Sequence, residues 1–178
     1  MRPAFLPLLM VLTAGAAQAA PSLQHLFPAS REPEASGRPV TVKVGPARAD
    51  VVRVTPVIFL SNPGTEPSQD SKSMCGLVIQ APGHAPQGVV TIGTGRSGAT
   101  PSCDAVLAVG ALPAARGERT RRIGAIHAVS SRNAQDGRDI IVLHRVGTGP
   151  WTVDEDATGR IEFSLRKHTI AEMRTKLH

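Results

Sequence analysis

Two histidines, His127 and His144, stand on either side of an Asp136-Gly137 pair, within two runs of alternating apolar residues. Asp-Gly is the dipeptide that a two-residue type I′ hairpin turn prefers, because both central positions need positive φ. With the turn there, Gln135 faces Arg138, His127 faces Val146 and His144 faces Val129. The two imidazoles then become diagonal neighbours on one face of one hairpin. Imidazoles so placed begin a zinc or copper site, for which His84 or His168 would be the third ligand. The other reading of the pair is structural: apolar neighbours would strip water from both rings and keep them neutral near pH 7. A one-residue slip in register would put them on opposite faces.

A second constellation is Asp154-x-Asp156-x-Thr158-Gly159, with oxygens at alternate positions and a glycine, as in the opening half of an EF-hand calcium loop. Where such a loop places its bidentate glutamate this chain has Leu165, so a turn with a solvated acidic cluster is the plainer reading. Metal binding thus stays open on His127, His144, Asp154 and Asp156, and no other cofactor is implied. Gly93-Thr-Gly-Arg-Ser-Gly98 follows an apolar run and has the G-x-G-x-x-G spacing that lets backbone amides approach a pyrophosphate. Pro101 and Cys103 stand where the helix of that motif should run, and a glycine-rich surface loop is expected instead. No G-x-S-x-G run marks a serine nucleophile.

Cys75 and Cys103 are the only cysteines, with no Cys-x-x-Cys spacing, and in an oxidising compartment they are expected to pair. Export is the expectation from residues 1–19: Arg2 supplies the positive start, Ala4 to Ala14 the apolar run and Ala17-Gln18-Ala19 the cleavage site of a signal peptide. No later stretch is apolar for long enough to span a membrane as a helix, so the mature chain is expected to have no transmembrane segment. The expected location is the periplasm or the medium.

The formal net charge is +6, and removal of 1–19 takes Arg2 with it and leaves +5. Arg116, Arg119, Arg121 and Arg122 concentrate that charge and are the expected patch for an anionic surface. Aromatic residues are few: Phe27, Phe59, Trp151 and Phe163 follow the signal, and there is no tyrosine. Base stacking needs several exposed rings, so nucleic acid is not an expected partner.

Met74-Cys75-Gly76-Leu-Val-Ile, then Val89-Val-Thr91, then His127 followed by Asp139-Ile-Ile-Val-Leu143, resembles the N-terminal barrel of trypsin-like serine proteases. The resemblance covers residues 74–143 at most. After Val89-Val-Thr91 the chain reads Ile-Gly-Thr-Gly where that family has Ala-Ala-His-Cys, and only Asp139 matches a triad member. What the resemblance implies is a degenerate, inactive relative.

These residues need a frame. Residues 20–38 contain Pro21, Pro28 and Pro33 and no sustained periodicity, which predicts a flexible tether whose Leu23, Leu26 and Phe27 could dock. From Pro39 the chain alternates at period two, and residues 39–178 are expected to form one β-rich domain. Strands are predicted at Pro39–Val44, at Val51–Leu60 with an interruption at Pro56, at Cys75–Gln80 and at Gly88–Ile92. Further strands are predicted at Cys103–Leu112, where a helix is the alternative, along both arms of Arg121–Val146, at Trp151–Val153 and at Arg160–Leu165. Apolar residues on both hairpin faces place it inside a sandwich or barrel, or beneath a helix. Thr169 and Glu172 form a capping box, and Ile170, Met173 and Leu177 share one face of a C-terminal helix expected to dock on the sheet.

The fold expected is mainly β: a single antiparallel β-sandwich or partly open barrel with a short C-terminal helix and one disulfide. The function expected is an exported, non-catalytic binding module with a protein or anionic envelope component as partner. A small exported enzyme or metal-dependent protein using His127 and His144 is the alternative class.

Overall fold

The computed structural model describes residues 23–27, 33–47, 50–60, 73–93, 101–114, 120–131 and 134–177. The expected signal peptide and most of the glycine-rich run after Gly93 lie outside them, as do Arg116 and Arg119. Among these residues nine strands form two antiparallel sheets, β1 (Glu34–Ala35), β2 (Val40–Lys43), β3 (Val51–Leu60), β4 (Ser73–Gln80) and β5 (Gln87–Ile92) in the first, and β6 (Ser102–Leu112), β7 (Thr120–Ser131), β8 (Ala134–Val146) and β9 (Thr152–Val153) in the second. Two helices follow, α1 (Glu155–Glu162) and α2 (Ile170–Lys176). The sheets face each other without closing into a barrel.

In the first sheet the order is β1–β3–β4–β5, with β2 pairing the other half of the β1 side of β3. Pro56 does not interrupt β3, and its placement explains why. A residue's N–H and C=O point to the same side of a strand, and the Pro56 carbonyl accepts from the Ser36 N–H at 2.9 Å on the β1 side. The missing donor therefore falls between the segments paired by β2 (Val51 to Val54) and β1 (Val57 and Ile58), and costs no ladder bond with β4.

Alternation divides the burial. Val52, Val54, Leu77, Ile79 and Val89 meet Ile123, Ala125, Leu143 and Trp151 between the sheets. The outer face of the first sheet carries Val57, Phe59 and Val78, covered by Leu23, Leu26 and Phe27. Within the expected tether, then, Leu23–Leu26 forms a 3₁₀ turn and Phe27 is buried. Gly76 gives it room: a Cβ there would sit 2.8 Å from the Phe27 ring. The outer face of the second sheet, with Ile126, Ile140 and Val142, is covered by Ala157 and Ile161 of α1 and Met173 of α2.

Cys75 of β4 and Cys103 of β6 form the expected disulfide, with Cα atoms 5.7 Å apart, and so join one sheet to the other. A second tie is Gln87, whose amide donates to the Trp151 carbonyl at 2.7 Å while its oxygen accepts from the Trp151 N–H at 2.9 Å. One side chain thereby does for the edge of β5 what a paired strand would do.

The β7–β8 hairpin corrects the expected register. His127 pairs with Asp139, Arg122 with His144 and Val129 with Gly137, and the ladder runs on to Ser131 opposite Ala134. Asp136-Gly137 therefore lies in β8 and not in the turn. An Asp-Gly turn would have paired Arg138–Val146 with His127–Gln135 and left Thr120–Ile126 without β8. The observed register pairs the apolar run 123–129 with 137–143 and sets Ile123 and Ala125 beside Ile141 and Leu143. The shift is an odd number of residues, so every side chain of β8 changes face.

The C-terminal region holds a second correction. Residues 160–165 are not a strand; α1 begins after Asp154, whose side chain accepts from the Ala157 N–H as an N-cap. Ala157, Thr158 and Ile161, spaced for one helical face, are its buried residues. α2 is as expected, with the Thr169 hydroxyl accepting from Glu172 N–H and Met173 fully buried. Residues 103–112 form a strand and not the alternative helix.

Candidate functional site

The register change separates the two histidines. His127 faces the first sheet and is fully buried, whereas His144 lies on the opposite face of the second sheet, half-buried beside α1. They cannot share a metal ion, and among the described residues no three His, Cys, Asp or Glu side chains converge to hold one.

His127 bridges the sheets. Its Nε2 lies 2.9 Å from Thr91 Oγ1 of β5, and that hydroxyl donates to the Cys75 carbonyl at 3.1 Å. A hydroxyl has one proton, so Nε2 is the donor to Thr91 and the ring is neutral with an Nε2–H. Burial lowers the His127 pKa to about 4, opposed in part by the Asp139 carbonyl. Nδ1 has no hydrogen bond of sound geometry among the described residues. The expected neutrality of His127 holds, although its cross-strand neighbour is Asp139 and not Val146. Burial raises the Asp139 carboxyl, and its Oδ1 accepts from the Ile140 N–H at 2.8 Å.

His144 belongs to a different cluster. Its Nδ1 lies 3.2 Å from Asp154 Oδ2, and its Nε2 lies 3.2 Å from the Thr152 hydroxyl. Arg122 Nε reaches the same Oδ2 at 3.3 Å, while Oδ1 accepts from the Ala157 N–H at 2.9 Å. Burial alone would raise the Asp154 pKa; the Ala157 amide, His144 and Arg122 outweigh it and hold the carboxyl below its usual range. Hydroxyl, imidazole and carboxylate stand in the order that activates a nucleophile. Neither Thr152 nor His144, however, lines the cleft beside Trp151, the one beside Gln80 or the one beside Leu112. The cluster's evident work is to lock β7, β8 and β9 to the start of α1. The half calcium motif is spent in the same way: Asp154 caps a helix and pairs with Arg122, and Asp156 is exposed in the first turn of α1.

The arginine patch is also redistributed. Arg122 is 6% exposed and bound to Asp154, so it is not a surface cation. Arg121 pairs with Asp50 and donates to the Gly147 carbonyl at 3.2 Å. Those two residues, with Lys43, Leu112 and Pro113, line a mainly apolar cleft of about 700 Å³ at one end of the sandwich.

A feature the sequence reading missed lies between the helices. Ile161 and Leu165 are buried in the cluster with Ile126, Ile140 and Val142, and Phe163, midway between them in the chain, is 91% exposed. Arg160, Arg166 and Lys167 around it in the chain are exposed as well. The connection is ordered by Glu172, whose two oxygens accept from the N–H groups of Arg166 and Lys167 at 2.8 Å each. Those bonds hold the Glu172 carboxyl below its usual pKa range. The Arg138 guanidinium, donating to the Lys167 carbonyl at 3.3 Å, adds a further cation beside them. From 160 to 177 the chain has five lysines and arginines against Glu162 and Glu172. The signal available in the sequence was a phenylalanine between two buried apolar positions with cations on both sides.

Comparison with protein-family models, with curated proteins and with solved structures finds no match.

Proposed function

We propose that this chain is an exported, non-catalytic binding module that docks on an anionic envelope membrane through the corner between α1 and α2. Phe163 carries the reading: a large apolar ring 91% exposed, with exposed Arg160, Arg166 and Lys167 around it in the chain and Arg138 bonded to the Lys167 carbonyl. A ring so displayed gains about 1.5–3 kcal/mol when it enters an apolar phase. Each lysine or arginine near a surface of anionic lipid adds about 1 kcal/mol. One ring and three or four cations are together enough for reversible attachment, and no helix among the described residues is long and apolar enough to cross a membrane. The leader-like residues 1–19 and the single disulfide support export.

Co-sedimentation with vesicles tests the reading. Phosphatidylglycerol vesicles should retain the protein at low salt and release it as salt rises, and phosphatidylcholine vesicles should not retain it. Phe163→Ser and the double variant Arg166→Gln, Lys167→Gln should each weaken retention by roughly tenfold. No retention on the anionic vesicles, or variants that bind as the wild type does, would reject the proposal.

A further inference from the structure

Arg121 and Arg145 are directly opposite each other on neighbouring strands β7 and β8. Two like charges in that position repel, so each guanidinium calls for a counter-charge. Arg121 has one in Asp50. Arg145 has none among the described residues: its NH2 group donates to the Thr148 carbonyl at 3.2 Å, and its Nε is buried with no acceptor. The Arg145 guanidinium, unlike that of Arg121, therefore stands without a counter-charge among the described residues and is open to an anion.

Arg145 lines a cavity of about 190 Å³ between the turn after β4 and the turn after β8, together with His84, Gln87, Thr148, Gly149 and Trp151. No aspartate or glutamate lines it. Both ends of the Gln87 amide are bonded to the Trp151 backbone, and neither end reaches Arg145 Nε. The walls are predominantly polar, and at about 30 Å³ per water the space equals about six waters, which is room for a tetrahedral oxyanion with a short ester tail.

We infer that this cavity is a binding site for a phosphate group, held by the Arg145 guanidinium with the His84 imidazole at its mouth. Arginine suits the ligand because its planar fork presents parallel N–H donors to two oxygens of one phosphate. The site lies on the β8–β9 turn and not on the α1–α2 corner, so it stands or falls apart from membrane docking.

Trp151 is the only tryptophan in the chain and lines the cavity, so its fluorescence is the signal to follow. Inorganic phosphate and glycerol phosphate should each be titrated against sodium chloride of equal ionic strength. A saturable change with phosphate and none with chloride is expected; tighter binding of glycerol phosphate would mark an esterified headgroup as the source, and equal or weaker binding the free ion. Arg145→Gln should weaken the response at least roughly tenfold. His84→Gln, on an exposed turn that leaves the sheets intact, should weaken it by a smaller factor, and Phe163→Ser should leave it unchanged. No saturable response in the wild type, the same response to chloride, or undiminished affinity in both Arg145→Gln and His84→Gln would overturn the inference.

Discussion

Acid should part the two sheets through His127. The ring is neutral and fully buried in the native state, and its pKa there is about 4 against 6.5 for a free histidine. Because the folded value is the lower one, the unfolded chain takes up a proton first as pH falls. Stability is complete above about pH 6.5 and is lost progressively toward pH 4. At 1.36 kcal/mol per unit the loss amounts to about 3 kcal/mol, a large share of a net stability of about 5–15 kcal/mol. Urea unfolding at a series of pH values between 7.5 and 4 measures it. His127→Gln is the reference, since the amide keeps an N–H for Thr91 and cannot titrate. The wild type should lose about 3 kcal/mol more than the variant over that range, with the difference confined to the window between the two pKa values. Parallel curves for the two proteins, or a His127 ring titrating near 6.5 by NMR, would refute the reasoning.

Thr91→Val removes the partner of the buried Nε2–H and should lower stability by about 1–3 kcal/mol, read from the denaturation midpoint at neutral pH. Asp154→Ala removes the carboxylate that Arg122 and His144 share and the N-cap of α1, and a loss of about 3–5 kcal/mol is expected by the same measurement. Reducing Cys75–Cys103 should cost about 3.5 kcal/mol; mass shifts on alkylation before and after reduction verify that both thiols were paired. Thr169→Ala should cost about 1 kcal/mol through the α2 cap, and an unchanged midpoint would show that the cap contributes nothing.

Much of the frame was readable because it rests on local rules. The period-two runs before residue 154 became strands, the lone cysteine pair became the disulfide, and Thr169 with Glu172 marked the start of α2. The hairpin register was misread because Asp136-Gly137 is a strong local turn signal, whereas the ladder is set by pairing over the whole of Ile123–Val129, which is not local. α1 was misread because Ile161, Phe163 and Leu165 alternate as a strand does; its helical face, Ala157 and Ile161 with Thr158 between, shows only once Asp154 is known to be a cap. The fates of the arginines were not legible either. Arg122 and Asp154 are far apart in sequence, and nothing local says that one buries the other.

The docking proposal is tested most directly at Phe163 itself. A cysteine placed there, labelled with an environment-sensitive fluorophore while the native disulfide stays oxidised, should shift to the blue on phosphatidylglycerol vesicles and return as salt is raised. The same label on exposed Lys43, far in sequence from that corner, should not respond. An unshifted spectrum at position 163 while the protein is bound, or equal shifts at both positions, would contradict docking through the α1–α2 corner.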